Sequence, residues 1–199
     1  MDMLSAFGPA ALFMISMTIT PGPNNMMLTA SGANYGFRRT MPHLLGIIGG
    51  CFVLFASLAL GLGVVFERFP LVQTLLRIIG SLYLLYLAWG IATAPPPHFG
   101  ASEGHPLSFW QAAAFQFANP KAWVMGLTLM ASFLPEDGNT VVNALVLAGV
   151  AELVGFPCIA LWAGFGTAIG RWLKGPRAWR VFNVTMGALT AACVIFILG

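Results

Sequence analysis

The sequence predicts an all-α membrane protein with six transmembrane helices, arranged as two inverted three-helix repeats, with helices 1 and 4 broken at Pro motifs. Three observations carry that expectation. Charged residues are only 8% of the 199 and hydrophobic ones 58%, whereas a soluble domain carries roughly 25% charge. Six apolar stretches approach or exceed the roughly 20 residues that a span needs. Two of these are interrupted, at corresponding places in the two halves, by proline beside asparagine.

The first stretch, Leu4–Ala33, holds Thr20-Pro21-Gly22-Pro23-Asn24-Asn25 in its middle. Each proline lacks an N–H and clashes with the turn before it, and Gly22 frees the backbone between them. A helix from Leu4 is therefore expected to stop near Ile19. A new one should start near Pro23, whose fixed φ suits a first helical turn. The second stretch, Met41–Phe66, and the third, Leu71–Ile91, read as unbroken, the latter with Arg77 near one end. The fourth, Phe109–Leu134, is interrupted within Phe117-Ala118-Asn119-Pro120-Lys121-Ala122-Trp123. The fifth, Val141–Ile169, contains Glu152 and Pro157, and the sixth is Val181–Leu198. Met1-Asp2-Met3 opens without a basic run or a small-residue cleavage site, so it reads as the start of the first span and not as a cleaved signal.

Connections are short except for 94–108, a Pro/Gly/His-rich loop with Pro95-Pro96-Pro97 as its stiff part. It divides the chain into a first three-helix repeat, 1–93, and a second, 109–199. Three spans is an odd number, so the halves insert with opposite orientation. The competing reading is two unrelated proline kinks. Loop one carries Arg38 and Arg39, and loop five carries Arg171, Lys174, Arg177 and Arg180. Loop three shares their side and has no Lys or Arg. The other side holds Arg68 and Arg77 with Glu136 and Asp137. The excess of basic residues expected on the cytoplasmic side puts loops one, three and five inside and both termini outside the cytoplasm. Arg171, Trp172, Lys174, Trp179 and Arg180 read as an interfacial anchor. The net charge of +3, from nine Lys/Arg and six Asp/Glu, is loop decoration and no nucleic-acid patch.

Broken backbone at membrane depth persists only where protein or a water-filled cavity satisfies its polar groups. Proline-interrupted spans in matching halves therefore point to a transporter site near the midplane. Each second half-helix exposes N–H groups without intrahelical partners at the positive end of its dipole, and such an end binds carboxylates. One end begins at Pro23-Asn24-Asn25 and the other at Pro120-Lys121, with Asn119 placed as an N-cap. Lys121 adds a full charge, or else reaches for headgroups. Asn24 and Asn25 serve either a ligand or helix capping and contact. Glu152 is the carboxylate well inside a span. It is a candidate for proton coupling or for a substrate ammonium, against a structural role between helices. His43 has a possible proton role, but a headgroup-level position is the simpler reading. The small-residue runs Gly46-Ile47-Ile48-Gly49-Gly50 and Gly166–Gly170 fit close helix packing.

The three cysteines, Cys51, Cys158 and Cys193, lie in apolar runs without CxxC spacing, so no disulfide or metal framework and no cofactor is expected. Neither Lys121 nor Lys174 sits in GxxxxGK[ST], and HExxH does not occur, which removes an ATP loop and the zinc-protease class.

Thr20-Pro21-Gly22-Pro23-Asn24, then Ala30-Ser31-Gly32-Ala33-Asn34-Tyr35-Gly36-Phe37-Arg38-Arg39, then Gly46–Gly50, then Asn119-Pro120-Lys121-Ala122 resembles the LysE/RhtB family of bacterial amino-acid exporters in motif order and over the whole chain. The resemblance implies a six-span inner-membrane exporter of amino acids or similar small zwitterionic or anionic solutes, coupled by proton antiport. It carries over to Pro21, Gly22, Pro23, Asn24, Asn119, Pro120 and Lys121. Glu152 matches no motif, and its role rests on its position. Some relatives are linked to metal ions, but no Cys/His/Asp cluster in the spans supports that here. A second functional class is a non-transporting scaffold or partner subunit that retains the transporter fold. An intramembrane enzyme has no nucleophile beside a base, so the chain is not expected to be one. The expected partners are a small-molecule solute and the bilayer. A small-residue face would also permit a homodimer.

Overall fold

The computed structural model describes residues 3–96, 104–135 and 138–195, and among these the chain forms helices and no strand. Met1, Asp2, residues 97–103 of the long connection, Glu136, Asp137 and the end of the sixth stretch from residue 196 lie outside the described residues.

The first stretch becomes α1 (Met3–Ile19) and α2 (Pro23–Tyr35). The second becomes α3 (Phe37–Ser57), a wide turn at Leu58–Leu62 and α4 (Gly63–Arg68). It is not the unbroken helix that its hydropathy suggests. Gly61 has φ of +102°, a conformation open to glycine and unfavourable for other residues, and the helix axis breaks there. The third stretch is α5 (Pro70–Thr93). The fourth is α6 (Phe109–Gln116) and α7 (Pro120–Phe133). α8 (Thr140–Trp172) runs through Pro157 without interruption, and α9 (Pro176–Ala192) follows.

Three helical stretches are long and apolar enough to cross a membrane unaided: Phe37–Leu62, Thr74–Thr93 and Thr140–Trp172. The half-helices are too short. α1 and α2 have 17 and 13 residues, and α6 and α7 have 8 and 14, against about 20 for a span.

The polarity is inside out relative to a soluble protein. Leu12, Trp110, Leu153 and Leu161 are exposed, while Thr29, Thr40, Gln116, Asn119 and Asn183 are buried. α8 is the central helix and packs on α1, α2 and α3. Small residues set the spacing. A Cβ on Gly166 would run into the Thr29 carbonyl, and one on Gly170 would lie 2.7 Å from the Ala33 carbonyl oxygen. α3 meets α6 through Gly46 and Gly50, and α5 meets α9 through Gly187. Without a hydrophobic force between helices in lipid, such close backbone contact supplies the packing.

The ends of α2, α5 and α9 are tied together. Asn34 Nδ2 donates to Asn183 Oδ1 at 2.8 Å, and Asn183 Nδ2 donates to the Ala94 carbonyl at 3.0 Å. Loops one, three and five therefore cluster at one end. Trp172 is exposed there, but Trp179, expected in the same interfacial anchor, is buried. It shares the buried face of α9 with Asn183, Met186 and Thr190, so helical periodicity draws it inward.

Candidate functional site

Both breaks fall where the prolines dictate, and each is closed by side chains. The carbonyls from Met17 to Pro21, at and just past the end of α1, lack the partners that continued helix would have given them. Thr20 Oγ1 donates to Met17 O at 2.7 Å. Asn25 Nδ2 donates to Thr18 O at 3.0 Å and to Thr20 O at 2.8 Å. Trp162 Nε1 of α8 donates to Ile19 O at 3.3 Å. Lys121 Nζ donates to Thr20 O at 2.6 Å, Thr20 Oγ1 at 2.8 Å and Pro21 O at 3.4 Å. The ammonium of the second break thus sits on the negative end of the first half-helix, where a cation is favoured.

The return contact runs the other way. Asn24 Nδ2 donates to Gln116 Oε1 at 2.8 Å, and Gln116 Nε2 donates to Asn24 Oδ1 at 3.2 Å. Gln116 is the last residue of α6 and is fully buried. Asn24 and Lys121 each follow the proline that opens their helix, so each break braces the other.

The two helix starts differ. At α7, Asn119 accepts from the Lys121 N–H at 3.1 Å, and its carbonyl takes the Ala122 N–H at 3.0 Å. That end is already capped. At α2 the cap position is Gly22, which has no side chain to offer, and no side-chain cap is made. The sequence suggested two anion-binding ends with Asn119 as the N-cap of the second; that cap forms, and only the start of α2 is without a side-chain cap. Gly22 itself is extended, with φ −174°, a conformation any residue adopts. Its reason is space: a Cβ there would lie 3.0 Å from Lys121 Cδ and 3.3 Å from Nζ.

The open end of α2 faces a cavity of about 40 Å³, whose lining includes Thr18, Gly22, Asn24, Asn25, Lys121 and Glu152. Met14, Ile47, Met125 and Ile159 form apolar wall. One water needs about 10–15 Å³ by this measure, so the space holds a few waters and no amino acid. Thr18 Oγ1 is buried without a partner among the described residues. Glu152, on α8, is also buried. Across one cavity the chain thus sets a helix N-terminus and a spare hydroxyl against a carboxyl, which are complementary charges for the two ends of a zwitterion.

Of the residues singled out from sequence, Gly22, Pro23, Asn24, Asn25, Asn119, Lys121 and Glu152 meet at this cavity. Pro21 and Pro120 line a second space of about 550 Å³, shared with Lys121, Val124 and Leu189. His43 belongs to neither. It is buried and shares the inner face of α3 with Thr40, Leu44 and Ile47. Gln116, Thr18 and Trp162 were not read from the sequence. Gln116 had a signal, as an amide one turn before Asn119 in an apolar span. No group of three His, Cys, Asp or Glu is placed to hold a metal among the described residues.

The LysE type translocator family matches residues 15–198. Proteins described as cysteine/O-acetylserine efflux protein, from Escherichia coli (strain K12) and Shigella flexneri, are 32% identical over 199 residues, covering 97% of this chain and 96% of theirs. No solved structure matches the chain.

Proposed function

The chain belongs to the LysE type translocator family, and on that premise we propose that it exports small neutral amino acids, of the kind named for its relatives, by proton antiport. It is a translocator of the cell membrane and not an enzyme. The uncapped N-terminus of α2 facing Glu152 across one cavity carries the reading. Once the cavity widens to admit it, the solute carboxylate takes the N–H groups of Asn24 and Asn25, with Thr18 beside them. The ammonium takes Glu152. When no solute is bound, the same carboxyl accepts a proton, so solute and proton exclude each other, as antiport requires. Lys121 and the Asn24–Gln116 pair hold the breaks in register and do not touch the solute.

We infer six spans in two inverted repeats as the frame of this arrangement. The first span packs on the fifth, through α1 and α2 on α8, and the fourth packs on the second, through α6 and α7 on α3. Exchanging the halves exchanges these pairs. The matched breaks obey the same exchange. Arg38, Arg39, Arg171, Lys174, Arg177 and Arg180 flank the end where loops one, three and five meet, which favours that end as cytoplasmic.

The test is efflux from cells preloaded with dipeptides, scanning all released amino acids. One or a few neutral amino acids leave faster with the wild type than with empty vector, and Glu152→Gln loses the dependence on the proton gradient. Release equal to empty vector for every amino acid would overturn the reading in favour of a chain that keeps the fold without transporting.

A further inference from the structure

A larger cavity, of about 460 Å³ against about 40 Å³ at the breaks, opens at the end formed by loops one, three and five. It lies between α2, α3, α5 and the start of α6. His43 lines it, is 1% exposed, and has no hydrogen-bond partner at either ring nitrogen among the described residues. A buried polar group without a partner is uncommon, and an imidazole needs both a donor and an acceptor to be satisfied. The neighbouring polar groups are already engaged, Ser31 with Thr40 at 2.8 Å and Asn34 with Asn183. Leu87, Ile91, Tyr86 and Trp89 supply apolar wall. The described lining contains no Asp, Glu, Lys or Arg to balance a net charge.

Position links this cavity to the site at the breaks. His43 lies one helical turn before Ile47, and Met27 one turn after Pro23. Ile47 and Pro23 line the small cavity, and His43 and Met27 the large one. Along α2 and α3 the two linings thus lie one helical turn apart.

We propose that the large cavity is a loading site, where His43 hydrogen-bonds a solute of zero net charge before it passes to the site at the breaks. This rests on the export reading. The solute supplies both a donor and an acceptor to the imidazole and lays its apolar part on α5. A charged amino acid finds no counter-charge and is excluded at this step.

Gly90 gives a direct reporter, since it lines the cavity and a Cβ there would meet nothing within 4 Å. The Gly90→Cys protein is labelled in membrane vesicles with an impermeant thiol reagent, against the parent, whose three cysteines are buried. L-serine, its O-acetyl ester and L-methionine are the neutral probes, and L-lysine and L-glutamate the charged ones. Labelling slows about fivefold with a neutral probe at four times its dissociation constant, because protection scales as one plus that ratio. The charged probes leave it unchanged. His43→Gln, which keeps a donor and an acceptor, retains protection, His43→Leu loses it, and Lys121→Met retains it. Labelling that no probe slows, in vesicles that still export amino acids, overturns the loading site alone. So does equal protection in His43→Leu. Protection without any export keeps the site and overturns the export reading.

Discussion

Replacing Lys121 by Met separates a brace from a ligand. Met keeps an apolar stem of similar length and removes the ammonium. Three contacts disappear, to Thr20 O, Thr20 Oγ1 and Pro21 O. Two of the three acceptors are not stranded. Thr20 O keeps Asn25 Nδ2 at 2.8 Å, and Thr20 Oγ1 keeps its own bond to Met17 O. Pro21 O, at 3.4 Å, was weakly held. The net loss is close to one charge-assisted hydrogen bond, about 1.5–3 kcal/mol. Relief from desolvating the ammonium offsets part of it. At about 2 kcal/mol, and about 2–4 °C per kcal/mol for a chain of this size, Tm falls by about 4–8 °C. Thermal unfolding of the purified protein in detergent, followed by tryptophan fluorescence, reads the change. Lys121→Arg, which keeps the charge, loses less. An unchanged Tm together with lost efflux would refute the brace and make Lys121 a contact of the solute.

Asn24→Leu sets an apolar side chain against the buried Gln116 amide, Gln116→Leu sets one against the half-buried Asn24 amide, and each costs about 1–3 kcal/mol. The double variant is milder than the sum, by about 0.5–3 kcal/mol in a double-mutant cycle measured by Tm, and strict additivity would deny the pairing. Gly166→Val puts a branched side chain against the Thr29 backbone. It forces α2 from α8 and destabilises by about 1–3 kcal/mol or more. Size-exclusion profiles of the detergent-extracted protein then show less monodisperse material, and a normal profile would count against the close packing. In the proposed mechanism Glu152→Gln removes the group that exchanges a proton for solute, so a protonophore that stops wild-type efflux is expected to leave residual Glu152→Gln flux unchanged.

The breaks were legible because proline acts locally. A missing N–H and a ring clash end a helix whatever surrounds them, and α1 stops at Ile19 and α2 starts at Pro23, as Pro21 and Pro23 require. Partners are not local, so they were less legible. Lys121 in an apolar span announces a role, but whether it meets a solute or a carbonyl depends on a fold that brings Thr20 across about a hundred positions of sequence. Asn119 as the cap of α7 was legible for the same local reason, whereas the absence of any side-chain cap at Gly22 needed the folded geometry to become visible. Gly61 lies among apolar residues and gives no sign that its φ is positive. Trp179 has the composition of an interfacial residue, and its register on α9 decides otherwise.

The unequal starts and the mutual bracing belong together. If both second half-helices were uncapped, two positive ends would compete for one carboxylate. Asn119 neutralises one of them, which leaves a single polarity across the cavity, N–H groups on α2 and the Glu152 carboxyl on α8. The capped break then supplies the cation that holds the other break's carbonyl end. The uncapped break returns only a neutral amide, to Gln116. A charge-assisted bond is about twice as strong as a neutral one, so the Lys121 bridge outlasts the Asn24–Gln116 bridge under the same strain. The asymmetry of the site is thus written in the residue after each proline, Asn in one half and Lys in the other.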